Sequence, residues 1–372
     1  MFSSRLNWDV SPNPLARLLA EKRASGARVL DLTESNPTRA GLSYPAAILD
    51  ASRNEQAPRY HPAPRGLLSA REAVAAYYGE RGREVSPDRI LLTASTSEAY
   101  AYLFKLLADP GDEVMTPRPS YPLFEYLASL ESVKVRQYPL RYDGAWHVDF
   151  VELERAISPR TRAIVVVNPN NPTGSFLKAD EWDRLQSFGV ATLSDEVFSD
   201  YGFAPVSGAR TQDRALTFRM SGLSKIAGLP QMKLGWIAVS GPGADEAMER
   251  LELIADTYLS VATAVQVALP ELLALSGEVR SQIQTRTRGN LDALRSLVAG
   301  SPVNVLNVEG GWSAILQVPR IRSEQEWALM LLGERDVLVQ PGYFFDFESE
   351  AFLVVSLLTP RDVFEEGIRR II

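Results

Sequence analysis

The sequence predicts an α/β fold: a mostly parallel sheet covered by helices on both faces, joined to a smaller α+β domain. Three observations predict it. From about residue 50 to 270, short apolar runs alternate with amphipathic helical stretches, the pattern of successive βαβ units. Hydrophobic residues make up 45% of the 372, enough for a large core, and charges of both signs are interspersed. The last third changes character, with one long helical stretch and few strand-like runs.

Taken in order, "DRILLT" (88–93) reads as a strand leading into the helix-like "SEAYAYLFKLLA". "DEVMTP" (112–117) precedes "YPLFEYLASL", and "VKVRQYPL" follows. "RAIVVV" (162–167) precedes the amphipathic "KADEWDRLQSFG", and "VATLSD" and "ALTFRM" come next. Short apolar strands separated by helices pair in parallel and are buried on both faces. The C-terminal part continues with "QVALPELLALSGEVRSQIQTRTRGNLDALRSLVA", then "GWSAILQV", then a final strand and helix. Residues 46–275 are expected to form the large domain, and 1–45 with 276–372 the small one. No Gly/Ser linker marks that boundary.

Composition narrows the function. A net charge of −7 gives no reason to expect nucleic acid or an anionic membrane as partner. The chain has no cysteine, which excludes disulfides, thiolate metal sites and thiol catalysis. His61 and His147 are its only histidines, too few for a histidine metal cluster and a poor basis for a Ser-His-Asp triad. The N-terminus lacks the apolar core of a signal peptide and nothing downstream resembles a membrane span, so a cytoplasmic location is expected.

In open α/β sheets, ligands bind beyond the carboxyl ends of the strands. After "RILLT" comes Ala94-Ser95-Thr96-Ser97 at a helix start, which is either an ordinary N-cap or a phosphate cradle. After "RAIVVV" comes "NPNNPTG" (168–174), a turn with more asparagine than turn chemistry requires. After "VATLS" comes Asp195, either a helix cap or the partner of a buried cation. After "ALTFRM" comes "SGLSKIAGLPQMKLGW" (221–236), with Lys225 among small residues. Each alone is more often structural. Together they place an anion nest, an amide, a carboxylate and a lysine on one rim, suited to a phosphorylated ligand with a protonatable ring nitrogen and an imine-forming carbonyl.

With these blocks in order, the chain resembles the class I/II aminotransferases, fold-type I enzymes that use pyridoxal 5′-phosphate (PLP). "RYHPAPRGLLSAREAVAAYY", "LLTASTSEAY", "PGDEVMTPRPSYPLFEY", "NPNNPTG", "SDEVFSDY", "SGLSKIAGLPQMKLGW" and "VLVQPGYFF" carry the likeness over nearly the whole chain. The resemblance implies that Lys225 forms the internal aldimine with PLP and then moves the proton at the substrate Cα. It implies that Asp195 pairs with the pyridinium nitrogen, that Asn171 donates to the phenolic oxygen and that Tyr121 stacks on the ring. Ser95, Thr96, Ser224 and Lys233 would hold the phosphate. Tyr60 would reach the phosphate of a second subunit, which implies a homodimer.

Three positions depart from the family pattern. Lys233 stands where arginine is usual and keeps the charge without the two-pronged geometry. Phe198 replaces a tyrosine whose hydroxyl bonds the phenolic oxygen, so the aldimine pKa is expected to be raised. Val354 falls where an arginine clamps the substrate carboxylate. Arg39, in "NPTRAG", is the candidate replacement. Trp312, Tyr343, Phe344 and Phe345 would make the pocket aromatic or belong to the small-domain core.

The expected function is a ping-pong transamination from an apolar or aromatic amino donor to a 2-oxo acid. A PLP-dependent lyase or decarboxylase is the alternative, suggested by Val354. A PLP-binding regulator would carry a DNA-binding domain ahead of the family-like region, which begins near residue 29. A nicotinamide dehydrogenase would need a G-x-G-x-x-G after the first sheet strand.

Overall fold

The structure, a computed structural model, describes residues 2–51, 53–204 and 213–372. Its first strand, β1 (Leu30–Asp31), joins distant parts of the chain: it pairs in parallel with Val337–Leu338. Eight strands then build the large sheet. They are β2 (Ile90–Thr93), β3 (Glu113–Arg118), β4 (Lys134–Tyr142), β5 (Trp146–Val148), β6 (Thr161–Val167), β7 (Ala191–Asp195), β8 (Thr217–Gly222) and β9 (Gly235–Ser240), in the order β2-β9-β8-β7-β6-β3-β4-β5.

The run β8-β7-β6-β3-β4 is parallel, as the alternating pattern predicts, while β9 lies antiparallel between β2 and β8. The reason is the connection. A parallel neighbour requires a crossover with a helix on one face of the sheet. The segment after β8 instead folds into a four-residue helix, Leu223–Ile226, and a 3₁₀ turn, Pro230–Met232. It never leaves the rim, so the chain returns reversed, and Lys225 and Lys233 stay at the carboxyl edge.

Buried aliphatic and aromatic side chains cover both faces. Leu193, Phe218, Met220 and Ile237 pack under the helices Thr96–Leu107 and Ala244–Asp256. The opposite face meets the helix Leu68–Glu80 and the first half of the long helix Thr263–Val298. That 36-residue helix runs through the expected boundary at 275/276. Its first half contributes Leu269, Leu272 and Val279 to one core, and its last turns contribute Leu291, Leu294 and Val298 to another.

The second core underlies a four-stranded sheet of β10 (Asn304–Val305), β11 (Ser313–Gln317), β13 (Gln340–Pro341) and β14 (Phe352–Ser356), ordered β10-β11-β14-β13, while β12 (Val337–Leu338) is the partner of β1. Alternation along β11 and β14 sends Ala314, Leu316, Leu353 and Val355 into that core. Ser313, Ile315, Val354 and Ser356 therefore share the other face, and Ser313 reaches the large sheet's carboxyl edge, as described below.

Candidate active site

The strand ends converge as the sequence predicts. Ser95 caps the Thr96–Leu107 helix, its Oγ accepting from the Glu98 N–H at 3.2 Å. The Thr96 and Ser97 N–H groups that follow have no acceptor within the helix, an arrangement that suits an anion. Gly235, which opens β9, is pressed against this turn. A Cβ there would lie 3.0 Å from the Ser221 carbonyl oxygen and 3.2 Å from the Ser95 carbonyl carbon. Lys233, two residues earlier, has φ 50° and ψ 55°, a left-handed turn that brings the chain back into β9. Ser224 lies in the short helix beside Lys225.

Asp195 ends β7 as a buried carboxylate. Its Oδ1 accepts from the Val197 N–H at 3.2 Å, and its Oδ2 accepts from the Tyr100 hydroxyl at 3.1 Å. Burial pushes its pKa up to about 6, against the opposing pull of Val197, Tyr100 and Lys225. Lys225 is the reciprocal case: burial lowers its pKa to about 8, and Asp195 works in the opposite direction. The lysine Nζ lies 4.9 Å from the Trp312 ring centroid and 5.5 Å from that of Phe198. Neighbouring Glu196 points away from Asp195 into a buried ionic cluster with Arg83 and Arg219.

The asparagines divide their labour. Asn168 Oδ1 accepts from the Leu177 N–H, and buried Asn170 ties Ser120, Pro119 and Thr173 together. Both are structural. Asn171 differs: its Oδ1 accepts from Ser313 Oγ at 3.2 Å, which orients the amide. No partner of Asn171 Nδ2 is found among the described residues. Tyr121 presents a partly exposed ring edge-on to Phe124, and its pKa is raised by burial and then by Asp195.

Phe198 packs against Trp312, with ring centroids 5.2 Å apart, where a tyrosine hydroxyl would otherwise sit. Tyr201 does not replace that hydroxyl, because it donates to the Lys225 backbone oxygen at 2.5 Å. Val354 is buried among Trp146, Leu306, Ile315 and Phe345. Arg39 is largely exposed and lies 3.5 Å from Glu34, whose backbone oxygen accepts from Ser356 Oγ. Tyr60 is exposed and lines a separate small cleft with Leu259, Ser260 and Gln266. Of the four aromatics left open, Trp312 stands beside Lys225. Phe345 and Phe344 are core, and Tyr343 is partly exposed.

Sequence reasoning missed Tyr100 and Ser313. Tyr100 lies one helical turn beyond Thr96, on the face toward the sheet, so the spacing carried a signal. Ser313 carried none, because its contact depends on how two sheets meet.

The donor set fits PLP on three observations. A helix N-terminus with hydroxyls and a lysine suits a phosphate. A buried carboxylate suits a ring cation. An amide oriented by Ser313, with its N–H₂ free of partners among the described residues, suits an oxyanion. Fold and site together define a lysine-centred α/β enzyme of the PLP type.

The chain belongs to the aminotransferase class I and II family, whose model matches residues 27–371. Members of this family are PLP-dependent aminotransferases, and so is this enzyme. It is 30% identical over 271 residues to the glutamate-pyruvate aminotransferase AlaA of Escherichia coli (strain K12), covering 70% of this chain and 67% of that protein. It is 31% identical over 239 residues to the S-alkyl-thiohydroximate lyase SUR1 of Arabidopsis thaliana, covering 61% of this chain and 52% of that protein. A crystal structure of an aminotransferase from Escherichia coli superimposes with a TM-score of 0.88 at 26% identity, covering 100% of this chain and 96% of that one.

Proposed function

We propose that this aminotransferase moves an amino group from an apolar or aromatic donor to a 2-oxo acid by a ping-pong mechanism. The single observation that carries the reading is Lys225, partly buried and near enough to Asp195 to feel its charge, with its pKa lowered to about 8. PLP supplies a carbonyl that takes an amine and a ring that accepts negative charge from Cα. Lys225 loses its proton near pH 8, well below an ordinary lysine, and is then free to take one from the substrate Cα. Asp195 holds a proton at the ring nitrogen, and Tyr100 fixes the carboxylate that does so. With PLP bound, Asn171 Nδ2 would donate to the phenolic oxygen and Tyr121 would pack against the ring. Ser95, Thr96, Ser224 and Lys233 bind the phosphate. Arg39 meets the substrate carboxylate by exchanging it for Glu34, an exposed pair whose loss costs about 0–1 kcal/mol.

The reading includes a homodimer in which exposed Tyr60 reaches the second subunit's phosphate, and a large domain of residues 46–275 with a small one from both termini. Among the described residues no helix is long and apolar enough to cross a membrane. A cytoplasmic location is part of the proposal. A lyase is the second reading, favoured by Val354 in an apolar cluster and by the likeness to SUR1.

The test is the visible spectrum of the PLP-loaded protein as amino donors are added singly, α-amino acids beside simple amines. Transamination requires that a donor change the cofactor absorbance and that a 2-oxo acid restore it. A donor with a leaving group on Cβ that is turned over to that group, a 2-oxo acid and ammonia, with no 2-oxo acid acceptor added, makes the enzyme a lyase.

A further inference from the structure

The helix Glu324–Arg335, which packs into the second core, opens on a carboxylate that the proposed chemistry does not use. Glu324 is 2% exposed, and among the described residues no cation pairs with it. Burial pushes its pKa up to about 7, against the opposing pull of the Phe352 and Tyr343 N–H groups, and Glu350 adds to the rise. Those two N–H groups are its partners: Tyr343 donates to Oε2 at 2.6 Å and Phe352 to Oε1 at 2.8 Å. One carboxylate therefore fastens both ends of the 343–352 segment. Glu350 Oε2 closes the loop on the helix by accepting from the Glu324 N–H at 2.8 Å. Gly342 leaves the carboxylate its room, since a Cβ there would lie 2.6 Å from Glu324 Oε1.

Between those ends the segment reaches the rim of the large sheet. The 3₁₀ turn Gly342–Phe345 finishes with the Phe345 carbonyl oxygen accepting from the Ser120 N–H at 3.0 Å. Ser120 Oγ donates to buried Asn170, and the next residue is Tyr121. Farther along, Gln137 donates to Asp346 and Arg141 to Glu348, but these contacts are solvent-exposed and contribute little. The Glu324 bonds are buried and charge-assisted, which is the stronger kind. We propose that Glu324 is a positioning residue of the active site: by gripping both ends of the 343–352 segment it fixes the Phe345 carbonyl, which holds the Ser120 N–H and so sets Tyr121 for the cofactor ring. This relay rests on the proposed place of Tyr121 against the ring, and the experiment checks that place separately.

The test is a double-mutant cycle on Glu324→Gln and Tyr121→Ala. Its readout is the affinity of the cofactor-free protein for pyridoxamine 5′-phosphate, which cannot form an imine with Lys225. Glutamine keeps the shape of Glu324 but turns an N–H₂ group on one of the two backbone donors. Tyr121→Ala should weaken binding roughly tenfold by removing the packed ring. Glu324→Gln should weaken it roughly threefold to tenfold, and with alanine already at 121 it should add less than about twofold. Equal weakening by Glu324→Gln in both backgrounds, or none in either, overturns the relay and leaves Tyr121 in place. A Tyr121→Ala protein that binds as wild type refutes the Tyr121 reading and the relay with it.

Gly342→Ala displaces the carboxylate without deleting it and should repeat the pattern, so it decides the matter if Glu324→Gln does not fold. A further measurement needs no variant. Coupling between two sites is reciprocal, so pyridoxamine 5′-phosphate should slow hydrogen exchange at the Tyr343 and Phe352 amides of the wild-type protein. Exchange that is unchanged at both amides on binding overturns the proposal.

Discussion

Replacing Lys225 by methionine should stabilise the cofactor-free protein at neutral pH, even though it deletes the reacting amine. Burial holds the lysine at about 8 against an ordinary 10.5. At ~1.4 kcal/mol for each pH unit, that difference corresponds to roughly 3 kcal/mol of destabilisation when the lysine is charged. Methionine has similar length and no charge to desolvate. Two losses offset part of the gain. The ammonium gives up its approach to the Trp312 and Phe198 rings, of the order of 1 kcal/mol. Asp195 loses only the weakest of its three stabilisers, since Val197 and Tyr100 rank ahead of the lysine. The net expectation is about 2 kcal/mol in favour of Lys225→Met.

The sign follows from the depressed pKa. Below about pH 8 the lysine is charged in both states and the penalty is complete. Between about 8 and 10.5 only the unfolded chain holds the proton, so wild-type stability rises with pH, and above 10.5 the penalty is gone. Urea denaturation of both cofactor-free proteins at pH 7 and pH 10 measures this directly. A variant less stable than wild type at pH 7, or an advantage that does not shrink by pH 10, refutes a desolvated lysine.

Tyr100→Phe removes a hydroxyl that lowers the Asp195 pKa, so in the cofactor-free protein the carboxyl, followed by NMR, should titrate above its wild-type value of about 6, and an unmoved titration rejects the contact. Asp195→Asn removes the charge that favours the Lys225 ammonium; the pH midpoint for PLP attachment should fall below about 8 and PLP affinity should drop roughly tenfold or more. Phe198→Tyr restores a donor beside Trp312 and should move the absorbance midpoint of the bound cofactor to lower pH; no movement means the hydroxyl cannot reach the ring. Arg39→Ala should raise KM for α-amino acids with little change in kcat, whereas an unchanged KM leaves the residue with Glu34 alone.

The parallel strands were legible because each is a short apolar run with its helix immediately after it, and that is a local property. The rim residues were legible for the same reason: Asp195 ends a strand, and Ser95, Asn171 and Lys225 lie within a few residues of one, so chain order alone puts them on one edge. The reversal of β9 was not legible, because it depends on the 223–234 segment staying at the rim rather than crossing a face. Nor did the sequence distinguish the two carboxylates of Asp195-Glu196, one turned to Tyr100 and the other to Arg83 and Arg219.

By itself, then, the sequence determined the architecture and the family, because apolar periodicity and ordered short motifs act over a few residues at a time. Only the tertiary structure decided which side chains are satisfied. Ser313 orients Asn171 across 142 positions, and Tyr100 steadies Asp195 across 95. Among the described residues the Trp312 N–H is left without a partner. Burial and hydrogen bonding are properties of what surrounds a group in space, and those surroundings come from strands and helices that are far apart in the chain.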